Sequence, residues 1–146
     1  MSRCLNLGCG PKWKEQYPDH EGLDIIDYEQ KWIMPVASFL FDVKRYEKYD
    51  EVMANHFLEH FSQDELRNVF LGVHDLLKKK GTFKFVVPHM NKEKAWVLSH
   101  KTFWNETTCW WFGKDEARDT YGFGSWRVEE VIVNERKDIH VRLIKI

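Results

Sequence analysis

The sequence has little of what would place it outside the ordinary globular class. It has only three cysteines in 146 residues, at Cys4, Cys9 and Cys109. They are too few and too scattered for a disulfide framework, and no Cys-x-x-Cys pair occurs, which fits a reducing, cytoplasmic setting. No apolar run approaches the ~20 residues that a membrane-spanning helix needs. Met1-Ser2-Arg3 runs straight into a short apolar segment, so no targeting leader is expected. An excess of one charge is lacking too: 22 Lys and Arg face 23 Asp and Glu, for a formal net charge of −1. Attraction to nucleic acid or to a membrane through bulk charge is therefore not expected. There is no repeat, low-complexity stretch or linker, and one domain over residues 1–146 is the expectation.

What is present is a normal core-forming composition, 43% hydrophobic and 31% charged, with an unusual share of aromatics at 15%. Five of the seven tryptophans lie between Trp96 and Trp126. Large rings filling a core are favoured over an aromatic-walled pocket, because aromatics bury much area.

Hydrophobic spacing sketches the elements. Cys4-Leu5-Asn6-Leu7 reads as a buried strand entering the glycine turn Gly8-Cys9-Gly10. Residues 12–17 supply one or two helical turns before Pro18. Residues 22–26 (GLDII), 38–43 (SFLFDV) and 50–54 (DEVMA) are further strand candidates. Ser62-Gln63-Asp64-Glu65 is a capping box, followed by Leu66, Val69, Phe70, Val73, Leu76 and Leu77 at helical spacing. Lys78 to Lys80 suit the negative end of that helix, and Gly81 its stop. Residues 83–87 (FKFVV) form the next strand, residues 92–101 a helix-like segment. Val128, Val131 and Val133, then Ile139, Val141, Leu143 and Ile146, flank residues 134–138 as a β-hairpin. Alternation of strands and helices predicts an α/β protein with a Rossmann-like, mainly parallel sheet covered on both faces. The C-terminal antiparallel hairpin adds an antiparallel edge strand.

In such sheets ligands bind at the carboxyl ends of the strands, where strand order reverses. Gly8-Cys9-Gly10 occupies that place on the first strand. Asp24, ending the second, is suited to accept hydrogen bonds from both hydroxyls of a ribose, and Asp42, ending the third, from an adenine amino group. A dinucleotide fingerprint needs a third glycine and an acid about 20 residues on. Trp13 stands at the third glycine position, and Asp24 follows too soon. The pattern favours a nucleoside ligand without phosphate, and S-adenosylmethionine is one.

Leu5-Asn6-Leu7-Gly8-Cys9-Gly10, Gly22-Leu23-Asp24-Ile25, Asp50-Glu51-Val52, His56-Phe57-Leu58-Glu59-His60 and Leu76-Leu77-Lys78-Lys79-Lys80-Gly81 together resemble class I S-adenosylmethionine-dependent methyltransferases. The similarity is to the small group with L-x-L-G-C-G and H-x-L-E-H motifs, over roughly residues 4–88. It implies a seven-stranded sheet with the last strand inserted antiparallel. It also implies that the Gly8–Gly10 loop holds the methionine part, Asp24 the ribose and Asp42 with Val43 the adenine. Asn55 and His56 would then line the methyl-donor pocket. Candidate cofactor contacts are thus Asn6, Gly8, Cys9, Gly10, Asp24, Ile25, Asp42, Val43 and Asn55. Two departures stand out: a very short first helix, which leaves that edge of the site open, and lysine where proline is common in the turn before Gly81.

His56-x-x-Glu59-His60 also matches the zinc-peptidase pattern H-x-x-E-H. That chemistry needs both histidines on one helix face, whereas strand-like residues precede His56 and the capping box starts a helix only at Ser62. No metal is expected from this pattern. Methyl transfer is an in-line displacement in which the enzyme chiefly orients the partners, with a general base needed for hydroxyl or protonated amine acceptors. Candidate catalytic residues are His56, His60 and His89, with His100 further along. No N/D-P-P-aromatic motif follows the fourth strand and no Pro-Cys pair is present, which argues against base methylation. A small-molecule or sugar-like acceptor is left. Competing expectations are a non-catalytic methyltransferase-like subunit, a nicotinamide-dependent oxidoreductase and the zinc hydrolase. A second subunit, a homodimer partner for instance, would complete an open site.

Overall fold

The computed structural model describes residues 2–146. Strand β1 (Cys4–Leu7) leads through the glycine turn to helix α1 (Trp13–Gln16), then β2 (Glu21–Asp24), β3 (Trp32–Ile33) and helix α2 (Val36–Leu40). Strand β4 (Tyr49–Asn55), helix α3 (Gln63–Leu76) and β5 (Leu77–Pro88) follow, then short helices α4 (Glu106–Trp111) and α5 (Asp115–Asp119), and the hairpin β6 (Trp126–Val133) and β7 (Asp138–Lys145). All seven strands form one sheet in the order β3-β2-β1-β4-β5-β7-β6. Strands β1 to β5 pair in parallel. Strand β7 is antiparallel to both β5 and β6. It therefore lies inside the sheet, and the edge strand is β6.

The capping box forms as the sequence indicates: Ser62 Oγ accepts from Glu65 N at 3.4 Å, and Glu65 Oε1 accepts from Ser62 N at 3.0 Å. Helix α3 then buries Leu66, Val69, Phe70, Val73 and Leu76. Lys78 to Lys80 are not its last turn. The helix stops at Leu76, and these lysines open β5, whose register against β4 slips between Tyr49 and Glu51. The strand expected at 38–43 is also corrected. Val36–Leu40 is helical and buries Phe39 and Leu40, and the third strand is the dipeptide Trp32–Ile33. A Phe-Leu-Phe run fits either state by composition, and packing on α3 decides it; Gly72 leaves the room that Leu40 fills. The segment 92–101 makes only a single 3-10 turn at Glu93–Trp96.

The main core lies on one face of the sheet. Leu5 and Leu7, Val52 and Ala54, Phe83, Phe85 and Val87, and Ile139, Val141 and Leu143 point into one core with α2 and α3. Phe70 is its hub: it stacks on Phe112 at 4.4 Å and meets Phe83, Phe85, Phe123 and Trp126 edge-on. Most of the aromatic excess is core. The alternate residues on the other face include Glu51, Lys84, Glu130, His140 and Arg142, which line a groove of about 520 Å³ with Tyr17 and His20. They are tied by ion pairs, Lys84 to Glu51 at 2.8 Å and Arg142 to Glu130 at 3.1 Å. Among the described residues no packed helix gives the cover expected on this face: the connection at 8–20 holds only the four-residue α1, which buries no residue, and the one at 25–31 holds no helix.

Candidate functional site

Strand order reverses between β1 and β4, and the carboxyl ends of β1, β2 and β4 open on one cavity of about 400 Å³. Its walls come from Gly8, Leu23 to Ile25, Met34 to Val36, and His56, Phe57, His60 and Phe61. The glycines turn the chain at φ +61 (Gly8) and +70 (Gly10). A side chain at Gly8 would strike the Phe57 ring, whereas nothing lies within 4 Å of the space beside Gly10. Asp24 faces the turn: Oδ2 accepts from Gly10 N and Oδ1 from Ile26 N, both at 3.1 Å. Each oxygen keeps a further lone pair for a ligand hydroxyl. Ile25 is largely exposed beside it.

Cys9 is buried, its N–H donates to Leu23 O at 3.1 Å, and its sulfur packs against Gly22. Burial, with Asp24 nearby, pushes its thiol up to about 11, which disfavours the thiolate. Asn6 lies under the turn on the opposite face of β1, buried, with Oδ1 unpartnered among the described residues. Asn55 lines an adjoining groove with Tyr17, Asp138 and His140, which shares His56 with the cavity.

Asp42 and Val43 do not reach this cavity. Asp42 ends no strand: it caps a 3-10 turn by accepting from Lys44 N at 3.0 Å and pairs with Arg45 at 3.1 Å. The place expected for these two is lined by Met34, Pro35 and Val36, because β3 ends at Ile33, ten residues before the end expected at Val43. The signal in the sequence was Pro35, which closes a short apolar run.

The three candidate histidines part company. His56 follows β4, held by its N–H to Val86 O at 2.9 Å, with φ +51. A non-glycine residue in that region stores strain of the kind found at functional sites. Its ring lies between two carboxylates, Glu59 at 3.6 Å and Asp138 at 3.7 Å. These distances are ion pairs and not hydrogen bonds. Glu59, with Asp138 behind it, raises the His56 pKa above its ordinary value against the opposing effect of burial. Lys92 secures Asp138 at 2.7 Å. His60 lines the cavity beside His56. His89 does not: its Nε2 is bonded to Glu106 and its Nδ1 accepts from Asn91 N at 3.0 Å. The placement of Asp138 and Lys92 near His56 was not legible, since β7 brings Asp138 opposite Pro88 only in the folded sheet. His56 and His60 share no helix face, so the zinc-peptidase geometry is not formed: Leu58–His60 is a 3-10 turn and His56 precedes it.

No protein-family model matches the chain, and no curated protein matches it. Solved structures do. A S-adenosylmethionine-dependent methyltransferase from Archaeoglobus fulgidus superposes with a TM-score of 0.71 at 15% identity, over 99% of this chain and 86% of that one. The fold is that of class I methyltransferases. The 1,6-didemethyltoxoflavin-N1-methyltransferase from Burkholderia thailandensis, bound to 1,6-didemethyltoxoflavin and S-adenosylhomocysteine, superposes with a TM-score of 0.71 at 15% identity, over 99% and 71%. A third structure, from Rhodobacter sphaeroides, carries the name of a zinc-dependent alcohol dehydrogenase (TM-score 0.70, 10% identity, 99% and 84% covered). At such identities the likeness concerns the fold, and the reaction has to be argued from the site.

Proposed function

We propose that this chain is an S-adenosylmethionine-dependent methyltransferase acting on a small-molecule or sugar-like acceptor. The observation that carries this is the meeting of the Gly10 N–H with the Asp24 carboxylate at the mouth of the β1/β2 cavity. A cavity of about 400 Å³ suits a ligand of nucleoside size. A dinucleotide fits poorly. Pyrophosphate binding needs a helix N-terminus behind the glycine turn. Helix α1 has four residues, and Trp13 fills the third glycine's place with its ring N–H on Tyr28 O at 2.9 Å. Methyltransferases among the neighbours, one with S-adenosylhomocysteine bound, support the same donor.

In this reading Asp24 holds the ribose hydroxyls, Gly8 and Gly10 give the methionine part access to the backbone, and Ile25 with Met34 to Val36 encloses the adenine. Bound S-adenosylmethionine supplies an electrophilic methyl group. The chain's own residues then orient the acceptor, and alignment of this kind supplies much of such a rate. His56 and His60, on the rim, are the residues proposed to contact the acceptor.

The test is calorimetric titration of the full chain with S-adenosylhomocysteine and with NAD. One-site binding of the first and none of the second is expected. Asp24→Ala removes at least one hydrogen bond to a charged group, worth ~1.5–3 kcal/mol, so affinity should fall by at least about 10-fold and by about 150-fold at the upper value for one bond. A folded protein that binds NAD and not S-adenosylhomocysteine would refute the reading.

A further inference from the structure

We propose that Glu59, His60 and His100 form a binding site for a borderline divalent metal ion of the zinc class, beside the donor cavity. One donor atom from each of these residues lies within 4.8 Å of the others. The site does not depend on the identity of the methyl donor.

Glu59 is the first reason. It is 1% exposed, and its Oε1 is buried with no hydrogen-bond partner among the described residues. Its other oxygen has only the His56 ring, at 3.6 Å. A carboxylate taken out of water needs a counter-charge or a full set of donors, and here neither is complete. A cation at Oε1 would supply what is missing.

The histidines are the second reason. His60 Nδ1 is 3.3 Å from Ser99 O, and His100 Nδ1 is 2.9 Å from Ala95 O. A carbonyl oxygen only accepts, so each Nδ1 carries a proton, and in the neutral ring Nε2 is the nitrogen left to bind a metal. That is the arrangement by which a backbone carbonyl sets the tautomer of a metal-binding histidine. The rings meet edge to face with centroids 4.7 Å apart.

The frame is already assembled. Glu59 O accepts from Lys101 N at 2.8 Å and from Thr102 N at 3.3 Å, which ties the turn carrying Glu59 and His60 to the segment carrying His100. Zinc holds nitrogen at ~2.0–2.1 Å, so tetrahedral donors stand about 3.3 Å apart. Donors now within 4.8 Å of each other must close by up to about 1.5 Å, a distance that rotation of the exposed His60 ring can cover. Two imidazoles and one carboxylate match zinc-class ions and leave a position open to an oxygen or nitrogen of a bound molecule. The site borders a cavity of about 370 Å³ that shares His56 and His60 with the donor cavity. Of the lysines lining it, Lys92 is neutralised by Asp138 at 2.7 Å and Lys94 is exposed.

A rival cluster, Cys4, His20 and Glu51, lies on the open face of the sheet. There Glu51 is already engaged by His20 and Lys84, both at 2.8 Å. The two clusters are separable because only one contains a cysteine sulfur.

The experiment titrates metal-free, tag-free full chain with Co²⁺ by absorption, and with Zn²⁺ in competition with a chromophoric chelator. One equivalent should bind, with visible cobalt bands and no thiolate charge-transfer band. His60→Ala and His100→Ala should each weaken binding at least about 10-fold, and Cys4→Ser should not. Should one histidine variant fail to fold by circular dichroism, the other decides. Absence of stoichiometric binding, a thiolate band lost in Cys4→Ser, or full affinity in a folded histidine variant would overturn the proposal. S-adenosylhomocysteine titrated on the same sample keeps a failure of the metal site distinct from a failure of the donor site.

Discussion

Alanine at Gly8 and at Gly10, one at a time, separates packing from ligand access in the turn after β1. Both residues have positive φ, +61 and +70, and an alanine there costs ~1–2 kcal/mol in backbone conformation alone. At Gly8 the new methyl group would also lie 2.2 Å from Phe57 Cδ1. That ring is braced edge-on by Phe61, with centroids at 4.8 Å, and overpacking of this kind adds ~1–3 kcal/mol. At Gly10 no atom lies within 4 Å, so nothing is added. The expected losses are therefore about 2–5 kcal/mol for Gly8→Ala and about 1–2 kcal/mol for Gly10→Ala. With an unfolding entropy near 2.1 cal/mol/K per residue, 146 residues translate each kcal/mol into about 3 °C. Melting temperatures should fall by about 6–15 °C and about 3–6 °C respectively. Binding should respond in a different order, because the proposed site uses the open space beside Gly10 for ligand access to the backbone. Gly10→Ala should lose S-adenosylhomocysteine affinity at least tenfold, a loss out of proportion to its small effect on stability. Urea unfolding and calorimetry measure the two quantities separately. Equal stability losses would refute the packing argument, and full affinity in Gly10→Ala would remove Gly10 from the site.

Acid stability should depend on Glu21. Burial opposes its ionisation, but Arg3 at 2.6 Å, Trp32 at 3.0 Å and Tyr49 at 2.9 Å donate to it and hold it down at about 2. A carboxyl lower in the folded than in the unfolded chain stabilises above its unfolded value and loses that contribution as pH falls through the folded one. Unfolding free energy should thus decline from about pH 4.5 toward about pH 2, with Glu51, also held down at about 2, acting in the same window. Glu21→Gln should cost on the order of 2–3 kcal/mol at neutral pH and flatten the acid slope in urea titrations; parallel curves for the two proteins would contradict this. Phe70→Ala empties the hub of the core and should cost ~3–5 kcal/mol, about 9–15 °C in melting temperature. A loss below 1 kcal/mol would mean that Phe112, Phe123 and Trp126 are not organised around it.

The strands, the capping box and the glycine turn were legible because they rest on local rules: period-two alternation, side-chain reach over three residues, and a left-handed backbone. Asp24 was legible for the same reason, as an acid ending a strand. The misreadings have one origin. Residues 38–43 suit strand or helix equally by composition, and the fit of Leu40 against Gly72 is a contact between distant segments. Placing the third strand there carried Asp42 and Val43 into the candidate site, where Met34 to Val36 stand instead. His89 at a strand's carboxyl end was a reasonable candidate until Glu106, seventeen residues on, took its ring nitrogen.

Sequence alone was enough to read an α/β chain whose first strand ends in a glycine turn, with Trp13 standing where a dinucleotide fingerprint needs glycine. Composition, periodicity and glycine placement act over a few residues, so they can be read without a fold. Tertiary packing settled which face of the sheet carries the main core. It also decided that β7 enters the sheet to set Asp138 against His56, and that Glu59 lies buried beside two histidines with free ring nitrogens. Those outcomes depend on strand order and on contacts across forty to eighty residues of chain, for which no local pattern exists.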